Sequence, residues 1–151
     1  MKEKLDIEPH LKMDIFDRIE IEVWDEFSGR LKLFFVRMSL IEHLSPELLG
    51  ILIGDDQDLR EEFCQHCIYV SFNKYINAYL IQHLFLDFLK TKQGMLSEDI
   101  KRETYKAAAC WSEKNGFLAD ALSYYEKTGD YKAKRAVEEK IKGRIISFEL
   151  G

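Results

Sequence analysis

With only two prolines and eight glycines in 151 residues, the chain has few of the residues that punctuate folds of many short strands and turns. That scarcity favours long helices. Cysteine is sparse too: three residues, an odd number without a disulfide-like pattern, argue against a disulfide framework and fit a reducing compartment. No apolar run reaches the roughly 18–20 residues needed to span a bilayer. The N-terminal MKEKLDIEPH has no apolar signal-peptide centre, so a cytoplasmic location is expected. The sequence contains neither a G-x-x-x-x-G-K-[ST] phosphate loop nor a G-x-G-x-x-G turn. Autonomous nucleotide binding by those routes is therefore excluded, and no cofactor is expected in this chain. Positive charge is also short, with a formal net charge of −5 and a pI near 5.4, which disfavours broad binding to nucleic acid or anionic membrane.

What the chain does have is core-forming material. Hydrophobic residues make up 46% and aromatics 13% of it, far above a disordered composition. Within residues 11–27, Ile15, Phe16, Ile19, Val23, Trp24 and Phe27 fall at three-and-four spacing, which predicts one amphipathic helix. Ser28-Gly29 breaks the pattern, and LKLFFVRMSLI (31–41) is apolar on nearly every face, as a helix in the middle of a core must be. Ser45-Pro46-Glu47 has the chemistry of a helix start, with a stop expected near Gly54. Asp55 or Asp56 then caps a helix through Leu59 and Phe63. CIYVSF and YINAYLI flank the turn-prone pair Asn73-Lys74 and predict a β-hairpin. His83 opens HLFLDFLK, where helical spacing returns.

Helices, a hairpin and a closing helix predict a winged-helix-like domain over residues 29–93, after a leading helix within 1–28. Thr91-Lys92-Gln93-Gly94 is the expected linker. Residues 96–151 change character: Ser97 caps a long helix, and Asn115-Gly116 and Gly129-Asp130 mark two turns 13 or 14 residues apart. The helices that these turns separate carry Ala107, Ala108 and Trp111, then Ala121, Leu122 and Tyr125, then Tyr131, Ala133 and Ala136, small residues with aromatics filling the gaps as in tetratricopeptide-like (TPR-like) antiparallel hairpins. About one and a half such units are visible, fewer than a solenoid usually needs. The array is therefore expected to be truncated, with IISFEL (145–150) starting a further helix.

Catalytic signals are weak. Cys64-Gln65-His66-Cys67 is half of a tetrahedral zinc site without its second half, so these cysteines, like Cys110, are expected to be buried structural residues and no metal is expected. His10, His43, His66 and His83 are scattered, and no serine stands in a nucleophile elbow. Asp55, Asp56 and Asp58 read as capping residues. Lys132, Lys134, Arg135, Lys140, Lys142 and Arg144 are interleaved with Glu138 and Glu139 and read as a solvated helix face. The chain is not expected to be an enzyme.

Four segments, in order, resemble one family. FDRIEIEVWDEF (16–27), LKLFFVRMSLIEHLSPELLGILIG (31–54), AYLIQHLFLDFLK (78–90) and AAACWSEKNGFLADALSYYEKTGDYKAKRAV (107–137) are similar to the corresponding stretches of the MalT-like, LuxR-type large transcriptional regulators among the STAND ATPases. The resemblance implies an upstream ATPase module using ATP and ADP, this segment, a helical-repeat sensor for a small-molecule inducer, and a C-terminal helix-turn-helix. The segment would relay nucleotide state to the sensor and DNA-binding modules, its partners being the ATPase module and further repeats of the same parent protein. In related proteins a histidine at the start of the closing helix senses the nucleotide phosphate. Alignment on LFLDFL puts Gln82 at that position and His83 one residue later; Gln82 can donate a hydrogen bond but cannot become cationic. The plain alternative for both is packing at a helix start. Two other functions compete, a small winged-helix DNA-binding regulator with a dimerising helical tail and a TPR-like scaffold for a partner peptide. Against the first, the third helix of the winged unit, DDQDLREEFCQH (55–66), is acidic.

Overall fold

The computed structural model describes residues 9–150, apart from the side chains of Cys67 and of residues 147–150. The leading segment 1–8 lies outside the described residues. The chain is mainly helical with one two-stranded antiparallel sheet. Its elements run α1 (Pro9–Glu22), α2 (Gly29–Met38), α3 (Pro46–Ile53), α4 (Gln57–Gln65), β1 (Val70–Asn73), β2 (Ala78–Ile81), α5 (His83–Lys90), α6 (Glu98–Lys114), α7 (Leu118–Thr128) and α8 (Tyr131–Leu150).

Local chemistry accounts for most boundaries. Ser28, Ser45, Asp56 and Ser97 each accept the amide of the residue three positions on, satisfying an orphan donor at the start of α2, α3, α4 and α6. Gly54, at φ +64°, ends α3, and Gly129, at φ +78°, ends α7 in the left-handed region that glycine enters without a Cβ penalty. The hairpin forms where expected, but its turn is four residues long rather than centred on Asn73-Lys74. Asn73 stays in β1, its Oδ1 accepts the amide of Tyr75 at 2.9 Å, and Asn77 takes the positive φ of +51° that closes the loop. Cys67–Tyr69 form a 3₁₀ turn instead of the start of the strand. The strands pair from Val70↔Ile81 to Asn73↔Ala78, and Tyr79 makes a further bridge to Leu44 on the other edge of β2.

Three expectations need correction. Helix α1 stops at Glu22, not at Phe27; a 3₁₀ turn, Trp24–Glu26, follows and drops Trp24 and Phe27 into the core, where Trp24 meets Phe88 edge-on at 5.4 Å and Phe27 stacks on Phe35 at 5.3 Å. Two buried rings outweigh one more turn of a half-buried helix. IISFEL continues α8 without a break, since nothing there can stop a helix. Cys64 and Cys110 are exposed. Each sits one position, about 100° of helix, past a buried residue: Phe63 in α4 and Ala109 in α6. Cys67's side chain is outside the described residues.

The core is contiguous. Leu31, Phe34, Phe35, Val36 and Met38 bury several faces of α2, and Phe63, Phe85 and Phe88 close around them with edge-on contacts at 5.4 Å from Phe34 to Phe63 and from Phe35 to Phe85. The same cluster runs on through Leu96 and Ala108 to Ala121, Tyr125 and Val137. The segment expected as a linker is tied down: Lys92 pairs with Glu20 at 2.6 Å, and the Gln93 amide donates to Ser39 Oγ at 3.1 Å.

Candidate interaction site

Gln82 and His83 stand side by side at the exposed start of α5. Gln82 is the N-cap: its backbone amide donates to the Tyr69 carbonyl at 2.7 Å, and its Oε1 accepts the Phe85 amide at 2.8 Å. The acceptor half of its side chain is thus committed to the helix. His83 projects outward with its side chain 75% exposed, 3.8 Å from Asp87. Asp87 also takes the Lys12 ammonium at 3.0 Å. Burial pushes the Asp87 carboxyl up, but Lys12, His83 and Lys90 together hold it below the usual carboxylate range. The carboxylate beside His83 makes this helix start a mixed-charge surface, not an anion cradle.

A second constellation escaped the sequence reading. It joins α2, α3 and the turns after α2 to α6 and α7. Arg37 Nε donates to Thr104 Oγ1 at 2.7 Å, and Thr104 passes the bond on to the Ile100 carbonyl at 2.8 Å. Trp111 Nε1 donates to Glu47 Oε1 at 2.6 Å, while its ring stacks with His43 at 5.6 Å and with Phe117 at 5.5 Å. The Glu42 amide donates to Tyr124 Oη at 3.1 Å. Burial lowers the Arg37 pKa, partly offset by Glu103, and raises the Tyr124 hydroxyl. Thr104 has no exposed surface. One clue lay in the sequence: Arg37 interrupts an otherwise apolar run and needs a buried acceptor. Thr104 and Tyr124 gave no comparable signal.

The remaining candidates are structural in their contacts. Asp56 caps α4 and, with Asp58, holds Arg30 at 3.1 and 3.7 Å. Glu113 on α6 binds Lys140 of α8 and accepts the Tyr125 hydroxyl at 2.9 Å, a clasp across three helices. His66 packs on Phe27 at 5.1 Å. Among the described residues no group of three or more His, Cys, Asp or Glu side chains is placed to hold a metal ion, and no helix is long and apolar enough to cross a membrane. No protein-family model matches the chain, and no curated protein matches it.

Proposed function

We propose that the chain is a non-catalytic relay segment of an ATP-dependent, MalT-like LuxR-type transcriptional regulator, with a winged-helix-like unit over 29–93 and TPR-like hairpins over 96–151. In this reading the winged-helix-like unit faces an ATPase module through the surface at Gln82 and His83, and the hairpins lead towards an inducer-binding sensor. The observation that carries it is the seam. Three hydrogen bonds, Arg37–Thr104, Glu47–Trp111 and Glu42–Tyr124, clip two helical bodies together at fixed geometry. Directional bonds over a continuous core transmit a displacement of one body to the other, which is what a two-state relay requires.

The character of α4 supports relay over direct DNA reading. It presents Asp58, Glu61 and Glu62 with Arg60 as its one cation, and a recognition helix would need several basic side chains. Two measurements test the proposal. The parent reading frame is expected to encode a phosphate loop upstream and a helix-turn-helix downstream; their absence overturns the relay reading. In a low-salt gel shift with random duplex, no retardation is expected. Tight binding there makes the winged-helix DNA-binding reading the better one.

A further inference from the structure

Where the turn after α2 meets β2, α5, α6 and α7, the described residues surround an open cavity of about 560 Å³, within the size range of small-ligand sites. Its lining is divided in chemistry. Leu44, Leu80, Ile81 and Leu86 supply apolar wall, while Lys90 and Lys127 join the lining from the last turns of α5 and α7. Neither lysine is within ion-pair distance of a carboxylate among the described residues, although Lys12, Lys92, Lys101, Lys134, Lys140 and Lys142 all are. The Lys127 ammonium instead lies over the ring of Tyr105, a residue that also lines the cavity, at 5.1 Å. Glu42 is the carboxylate of the lining. Within the lining two lysines stand against one carboxylate, an excess of one positive charge, while Asp87, outside the lining on α5, shares the field of Lys90.

We propose that this cavity binds a small monoanionic organic acid, its carboxylate between Lys90 and Lys127 and its apolar body against the leucine wall. A single negative charge matches the excess, whereas a phosphate monoester, with about −1.5 to −2 charges at neutral pH, exceeds it beside Glu42. The occupant touches elements on both sides of the seam, so it stabilises their present arrangement by binding it alone. The site stands independently of the relay reading, because neither an ATPase module nor a DNA-binding module enters the argument for it.

Amide chemical-shift titrations of the full chain with sodium hexanoate and sodium phenylacetate test the site, with hexanamide and hexyl phosphate as matched probes. At least one acid is expected to give saturable shifts centred on Tyr79, Tyr105 and the ends of α5 and α7, with hexanamide binding about tenfold more weakly or worse, the scale of one charge-assisted contact. Lys90→Met and Lys127→Met each weaken the acid about tenfold, and Glu42→Gln strengthens it. Both lysines are exposed, so their variants retain the fold. The proposal is overturned if neither acid saturates by roughly 10 mM, the weak end of specific binding, or if hexanamide binds equally well. Unchanged affinity in both lysine variants, or tighter binding of hexyl phosphate than of either acid, also overturns it.

Discussion

Thr104 is the side chain on which the seam turns, since its hydroxyl accepts from Arg37 and donates to its own helix with no surface exposed to water. Thr104→Val keeps the shape and deletes the acceptor, leaving the half-buried Arg37 Nε without a partner. The expected loss is about 1–3 kcal/mol in urea unfolding, the cost of an unsatisfied polar group. In the double variant Arg37→Met with Thr104→Val the two losses are expected to sum to less than their separate values, because the orphaned donor is gone. Strict additivity would mean that the two side chains are not coupled.

A second residue-scale prediction concerns pH. The hydrogen bond from Lys140 holds the Glu113 carboxyl below its ordinary value; burial works against this, and the Tyr125 hydroxyl adds to the lowering. A carboxyl whose pKa is lower folded than unfolded stabilises the fold fully above the unfolded value, near 4.3–4.5, and that contribution fades as pH falls through the folded value. Glu113→Gln keeps the acceptor for Tyr125 but cannot titrate. Comparing stability at about pH 6 and about pH 3, the variant should lose up to about 1 kcal/mol less than the parent chain, the scale of one partly exposed ion pair. An identical decline in both proteins would place the acid sensitivity elsewhere, with Asp87 the next carboxyl held low.

At the scale of elements, identical chemical changes at two glycines should have opposite signs. Gly143 lies inside α8, where a methyl group meets nothing within 4 Å. Gly143→Ala is expected to raise stability by about 0.5–1 kcal/mol, the helix propensity it recovers. Gly54 has equal room but a φ of +64° and ψ of −137°. Gly54→Ala should therefore cost about 1–3 kcal/mol of backbone strain. Shifted urea midpoints at unchanged slope are the readout. The elements were also the most legible level of the sequence. Serine and aspartate caps, the stop at Gly54 and the hairpin all follow from residues within four positions of one another. The end of α1 was not legible, because Trp24 and Phe27 leave the helix to meet Phe88 and Phe35, partners fixed by tertiary packing. Gln82 could have been read as a cap from its place just before an apolar helical run, since its oxygen serves the amide three residues on. The seam was illegible for another reason: its hydrogen bonds join residues 64 to 82 positions apart, and no local pattern encodes that pairing.

The whole molecule raises a question of cooperativity, and the two tryptophans are placed to answer it. Trp24 sits against Phe88 and Phe27 in the α1–α5 body, and Trp111 sits in α6 against His43 and Phe117. Trp111→Phe leaves Trp24 as the sole reporter of one body, and Trp24→Phe leaves Trp111 as the reporter of the other. A continuous hydrophobic cluster and the three seam hydrogen bonds predict one all-or-none transition, so fluorescence and far-ultraviolet circular dichroism should superimpose within each variant. Trp111→Phe also removes the bond to Glu47, and its midpoint should fall by the equivalent of about 1–3 kcal/mol, as for a hydrogen bond to a charged group. Fluorescence of Trp111 that changes before the helical signal would mean that α6 to α8 melt away from a surviving α1–α5 body. A relay works only while displacement on one side costs free energy on the other, so two separable transitions would remove the physical basis for relay.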